Sequence, residues 1–136
     1  MIDGRNLWDL IVQRAEQTPD RRMLVDQGRR SMTFGAFRER SERVAAGLAA
    51  LGVGEGMVVS WQLPTWITSV VLVGALRRLG AVQNPILPIY RDREVGFIVQ
   101  QAAPRLLIVP SEWGGFNFQQ MAERLTEGTG TQVLVC

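Results

Sequence analysis

The sequence predicts an α/β fold: an open, mostly parallel sheet with helices on both faces and a small hairpin near the N-terminus. Three observations predict it. Four short runs at residues 57–63, 81–84, 106–109 and 132–135 are rich in apolar residues without strict alternation, the pattern expected of strands buried on both faces. Helical periodicity fills the intervals between them at residues 66–79, 91–102 and 116–125. Helical connections between successive strands imply parallel pairing through right-handed crossovers.

Each element has its own justification. Leu7, Leu10, Ile11 and Ala15 fall at helical spacing, and Thr18-Pro19-Asp20 stops that helix, because proline disfavours helical geometry in the residue before it. Met23-Leu24-Val25 and Ser31-Met32-Thr33 read as two short strands around the turn Asp26-Gln27-Gly28-Arg29. The Thr33 hydroxyl then caps a helix with Phe34, Phe37, Val44, Leu48 and Leu51 on one side, while Arg38, Glu39, Glu42 and Arg43 lie largely away from it. Gly52 follows, where a helix end commonly requires a left-handed residue. Pro64 separates the strand at 57–63 from the next helix, and Gly80 closes that helix. Asn84 leads the following strand into the loop Pro85-Ile86-Leu87-Pro88. Val95, Ile98 and Val99 mark the inner side of the helix at 91–102, and Pro104-Arg105 leads into the next strand.

Glycines alternate at Gly52, Gly54 and Gly56, and a phosphate-binding loop is the first function to weigh for them. Such a loop requires the order strand, glycines, helix, so that phosphate meets free amides at a helix N-terminus. Here the order is helix, glycines, strand, so these glycines turn the chain.

Composition narrows the chemistry. The 15 basic residues of this 136-residue chain are all arginine, with neither lysine nor histidine, which excludes Schiff-base, histidine general-base and histidine–metal chemistry. A net charge of +2, with arginines interspersed among acids, argues against nucleic acid. The single cysteine, Cys136, rules out an intrachain disulfide and fits a reducing, cytoplasmic setting. Residues 1–10 carry acids early and lack the sustained apolar core of a signal peptide. The apolar segment 58–76, flanked by Arg77 and Arg78, reads as a buried strand-turn-helix and not a membrane span, because Gln62, Pro64, Thr65 and Thr68 interrupt it. Ser60 and Ser111 have no base to activate them.

In order and spacing, several landmarks between about residues 7 and 109 resemble the N-terminal part of the adenylate-forming acyl-CoA synthetases. They are Thr18-Pro19-Asp20; Met32-Thr33-Phe34-Gly35-Ala36-Phe37, similar to the family's T-Y-x-E-L; Leu51-Gly52-Val53-Gly54-Glu55-Gly56; Leu63-Pro64; and Leu79-Gly80-Ala81-Val82-Gln83-Asn84-Pro85-Ile86-Leu87-Pro88, similar to G-A-V-x-x-P-x-x-P. Ala36 replaces a frequent glutamate, Met57 a common aspartate, and Thr65 the asparagine that often follows the proline. These departures touch caps and a loop; they leave the fold expectation intact and weaken assignment to a substrate subgroup.

The resemblance implies that residues 1–136 are a partial domain, the N-terminal subdomain of a longer chain, since a buried strand at the end awaits further polypeptide. The parent would activate a fatty or alicyclic carboxylic acid with ATP and magnesium, then transfer the acyl group from the adenylate to coenzyme A. The glycine-rich P-K-G loop, the later acidic residues and the late catalytic lysine of the family do not occur here, so the chain alone is expected to be inactive and to bind none of these cofactors. Its expected partner is the remainder of its own polypeptide, with homodimerisation through exposed apolar surface as a further expectation.

Ligands of a parallel sheet approach from the carboxyl ends of its strands. That places Trp66, Asn84 and Pro85 as candidate substrate-side residues. Trp66 would line an acyl tunnel or pack on its neighbour; Asn84 and Pro85 would fix a substrate-side loop or form a structural turn. In Tyr90-Arg91-Asp92-Arg93-Glu94, the arginines either meet an anion such as a coenzyme A phosphate or belong to a solvated first helical turn, the second being favoured. Phe97, Phe116 and Phe118 read as core or rim. The rival reading is a complete small α/β module that binds a ligand or partner and catalyses nothing.

Overall fold

The computed structural model describes residues 6–136, so the part of the signal-peptide reading that rests on residues 1–5 lies outside the described residues. The chain is a mixed α/β structure in two compact units. One takes the residues up to Gly54 together with Thr65–Gly80; the other takes Glu55–Pro64 with Ala81–Cys136.

The first unit contains helix α1 (Leu7–Gln17), the antiparallel strands β1 (Arg22–Val25) and β2 (Ser31–Thr33), and helices α2 (Phe34–Ala50) and α3 (Ile67–Arg78). Asn6 caps α1, its Oδ1 accepting from the Asp9 amide at 3.0 Å. The Thr33 hydroxyl caps α2 by accepting from the Ala36 amide at 3.2 Å, as the sequence predicts, and Ala36 leaves that cap without its reciprocal partner. At the other end of α2 the Gly52 amide donates to Ala49 and the Val53 amide to Leu48, the Schellman arrangement. It needs a left-handed residue after the cap, and Gly52 supplies one at φ 81°. Trp8, Ile11, Phe37 and Val71 form the core of this unit. The Arg78 guanidinium lies 5.4 Å from the centroid of the Trp8 ring. Helices α2 and α3 approach closely at Gly74, opposite Phe37 and Ser41.

The second unit is built on β3 (Val58–Trp61), β4 (Val82–Pro85), β5 (Leu106–Val109) and a strand at Gln132–Val135. With the short strands β6 (Glu112–Trp113) and β7 (Phe116–Asn117) intervening in sequence, this last strand is β8. The sheet order is β4-β3-β5-β8, and every neighbouring pair is parallel. All four residues of β5 are buried, which is what its unbroken Leu-Leu-Ile-Val run anticipates. Helices α4 (Asp92–Ala102) and α5 (Phe118–Thr126) complete the unit, and Val95, Val99, Leu107, Phe118 and Met121 form its core.

Five details depart from the sequence reading. Strands β4 and β8, expected to be buried on both faces, are exposed at their ends and only half-buried between, because they are the two edge strands of the sheet. Strand β3 ends at Trp61, and Gln62 continues only as a single hydrogen bond to Ile108. The β6–β7 hairpin replaces the first turn expected of a helix at 116–125; Gly114 and Gly115, at φ 59° and 76°, form its two-residue turn. Phe97 is neither core nor rim, being 64% exposed on α4. Arg91 is not solvated in the way expected of a first helical turn, as described below. Among the described residues no helix is long and apolar enough to cross a membrane.

On the surface of this unit, Arg124 of α5 forms an ion pair with Asp92 in the first turn of α4. The hydrogen bond from Arg124 holds the Asp92 carboxyl below its ordinary range, against a smaller opposing effect of burial. A lowered folded-state value means that the stabilisation is complete above the ordinary carboxylate range and is lost as pH falls through the lowered value. Both side chains are about half exposed, so the expected loss in Asp92→Asn is under ~1 kcal/mol and shrinks with salt. Thermal melts of Asp92→Asn and the parent chain, compared at neutral and acid pH, check this: the two should converge in acid.

Candidate functional site

In a sheet ordered β4-β3-β5-β8 the chain reverses direction across β3, so the carboxyl ends of β3 and β5 are the place where ligands of open α/β folds bind. Gln62 occupies that point. Its amide N–H donates to Ile108 O of β5 at 2.9 Å, and its side chain is fully buried. The side-chain Nε2 donates to Leu87 O at 2.9 Å and to Tyr90 O at 3.0 Å. With both donors spent on carbonyls, the orientation of the amide is fixed, and Oε1 is left buried without a hydrogen-bond partner.

A second side chain grips the same loop. Arg91 Nη1 donates to Pro88 O at 2.6 Å and Tyr90 O at 2.8 Å. Its guanidinium lies 4.2 Å from the Phe116 ring centroid and 5.4 Å from that of Phe118. The two rings meet edge to face with centroids 5.0 Å apart. Phe116 at the end of the β6–β7 hairpin and Phe118 at the start of α5 therefore form the aromatic seat for Arg91, and this explains why the arginine is not offered to solvent. Loop 86–91 is fastened from two sides, with Ile86 buried beneath it and Leu87 and Ile89 exposed at 55% and 74%. The sequence reading missed both Gln62 and this role of Arg91. The available signal was a glutamine in an otherwise apolar strand end, facing a proline-rich loop whose carbonyls need donors.

The three sequence-predicted site residues separate. Asn84 lies within β4 opposite Ser60, not in a turn, and its Nδ2 donates to the buried Ser60 Oγ at 3.0 Å, a cross-strand bond. Pro85 follows it as the exposed last residue of β4. Trp66 belongs to the other unit, where it is the half-buried N-cap of α3 and offers no capping hydrogen bond. There it lines a groove of about 370 Å³ with Arg30, Ser31, Met32, Arg40, Ile67 and Thr68. A second, shallower groove of about 350 Å³ runs along β4 and α4, with Asn84 and Gln101 among its lining residues.

Reactive chemistry is sparse. Among the described residues no group of three or more acidic or cysteine side chains could hold a metal ion. Cys136 is exposed, and partial burial of its thiol shifts it upward, away from the reactive thiolate. What these residues supply is a rigid frame at the carboxyl edge of the sheet.

This frame is that of the N-terminal part of the adenylate-forming enzymes. A fatty acyl CoA synthetase from Mycobacterium tuberculosis superposes with a TM-score of 0.80 at 23% identity, over 96% of this chain and 26% of that one. The family model described as AMP-binding enzyme matches residues 11–135, and the chain belongs to that family. Similar curated proteins include triostin synthetase I of Streptomyces triostinicus, 34% identical over 90% of this chain and 23% of its own length. Another is the salicyl-AMP ligase / salicyl-S-ArCP synthetase of M. tuberculosis, 32% identical over 90% of this chain and 22% of its own. The 2-hydroxy-7-methoxy-5-methyl-1-naphthoate–CoA ligase of Streptomyces carzinostaticus is 32% identical over 95% and 23% respectively. The chain spans less than a quarter of the length of each of these three relatives.

Proposed function

We propose that this chain is the N-terminal scaffold of a longer ligase that activates a carboxylic acid with ATP, releasing pyrophosphate, and passes the acyl group from the adenylate to coenzyme A. The observation that supports it best is the family match across residues 11–135 of a chain without a single lysine or histidine. The scaffold is supplied here, and the charged machinery for phosphoryl and acyl chemistry is not. Two of the relatives are named for salicylate and a naphthoate, which favours including aromatic acids beside the fatty and alicyclic ones. They also differ in the acceptor that their names give, so coenzyme A is the less supported half of the reading.

Magnesium does not fit the residues present. Asp26 and Asp92 are each engaged by an arginine, and no acidic cluster exists among the described residues. In this reading the metal is held by polypeptide outside this chain, and Trp66, Asn84 and Pro85 act as walls and supports, not as reacting groups. A cytoplasmic location follows from the same reading, since ATP and coenzyme A would be drawn from that compartment.

The test is carboxylate-dependent exchange of labelled pyrophosphate into ATP. The isolated chain should give no exchange above background, and a longer polypeptide containing it should exchange with at least one fatty, alicyclic or aromatic acid. Exchange by the isolated chain, or a silent longer protein across a broad acid panel, overturns the reading.

A further inference from the structure

We propose that the groove at the start of α3 is a binding site for a small organic acid, a compact apolar body carrying one carboxylate. The class of acid is one that the adenylation reading also invokes, and Trp66 serves in both, but the groove stands on its own lining residues and is tested by binding alone. The groove lies wholly within the first unit. Its floor is made by the half-buried Met32, Trp66 and Ile67, and its rim carries Arg30 and Arg40.

The state of the arginines carries the argument. Helix α2 bears three arginines near its exposed faces. Arg38 pairs with Glu16 and Glu42, and Arg43 pairs with Glu39. Arg40, the one that lines the groove, has no ion-pair partner among the described residues. Arg30 is partly satisfied, its Nε bonded to Asp26 Oδ2 at 2.6 Å. None of the described residues that line the groove is acidic. The local balance is therefore about one uncompensated positive charge, which suits a single carboxylate better than a polyphosphate. A planar guanidinium recognises a carboxylate through two parallel N–H···O bonds.

The floor selects the rest of the ligand. A ring or short aliphatic body set against the Trp66 indole, Ile67 and Met32 gains apolar burial that a bare anion cannot. The volume of about 370 Å³ falls at the lower end of the range of small-molecule sites, so the body is small. Ser31 and Thr68 add neutral hydroxyls at the edge without adding charge.

Titration of the ¹⁵N-labelled 136-residue chain with sodium benzoate and with cyclohexanecarboxylate tests this. The indole N–H signal of Trp66, assigned with Trp66→Phe, should shift saturably, with a Kd of about 1 mM for so open a groove. Arg40→Gln should weaken binding about tenfold, as expected for loss of one charge-assisted contact, whereas Arg43→Gln should leave it unchanged. Circular dichroism of each variant confirms that the fold is kept. Absence of a saturable shift up to about 30 mM overturns the proposal. So does equal binding of benzamide, which would make the groove merely apolar, or of inorganic phosphate, which would make it a general anion site. Arg40→Gln binding as tightly as the parent chain would likewise overturn it.

Discussion

Gln62→Glu should destabilise the chain by about 3 kcal/mol at neutral pH, and by clearly less in acid. The substitution is isosteric, so no cavity confuses the result. It replaces the Nε2 that donates to Leu87 O and Tyr90 O with a carboxylate oxygen facing two carbonyls, in a side chain with no exposure. Burial and like polarity both oppose ionisation, so the folded-state pKa of the new carboxyl rises above its unfolded value. The folded state then binds the extra proton more tightly, and stability declines as pH climbs through the ordinary glutamate range and beyond. Below that range the protonated acid can still donate to one of the two carbonyls. Chemical denaturation of Gln62→Glu and the parent chain at pH 5 and pH 8 measures the difference. Equal destabilisation at the two pH values would show that the amide does not clamp loop 86–91 in the way described.

Gly74→Ala should cost about 2 kcal/mol, lowering the melting temperature by roughly 8 °C in a chain of this size. A Cβ at Gly74 would stand 2.6 Å from Ser41 Oγ and 2.9 Å from Phe37 Cζ, inside any real contact distance. Phe37 is 1% exposed and Ser41 fully buried, with Ser41 Oγ donating to Val71 O at 3.4 Å, so neither can step aside cheaply. Overpacking of about 3 kcal/mol outweighs the gain of about 1 kcal/mol in helix propensity. Gly47 provides the internal comparison. It also lies within a helix, but a Cβ there would meet nothing within 4 Å, and Gly47→Ala should stabilise by about 0.5–1 kcal/mol. Calorimetric melts of the two variants should move in opposite directions; movement in the same direction would refute the packing account.

What could be read from the sequence follows from what each signal encodes. The parallel sheet was legible because Leu106–Val109 is apolar at four consecutive positions, which only burial on both faces tolerates, and because helices separate the strands; the edge strands β4 and β8 are far less buried than β5. Caps at Thr33 and Gly52 were legible because a hydroxyl or a missing Cβ solves a local backbone problem within four residues. The β6–β7 hairpin escaped because two-residue strands are too short to show alternation, leaving only the Gly114-Gly115 pair as a sign. Phe97 misled because an aromatic residue next to Ile98 on a helix reads as core, and side-chain type alone does not report which way α4 turns it. The site was harder still. Gln62 meets Leu87 and Tyr90 across at least 25 residues, and the role proposed for Arg40 turns on its lacking, among the described residues, the ion-pair partner that Arg38 and Arg43 possess. Relations of that kind exist only after folding.

Pro85 has a consequence of its own. Val82 and Ile86 turn their amides toward β3, so the odd-numbered positions of β4 point outward, away from the sheet. Proline at 85 has no N–H to present along this margin, and its ring obstructs an incoming backbone. A stray strand arriving at β4 meets a gap in its ladder at Pro85, and the sheet is chemically fenced at that end of this flank against edge-to-edge growth.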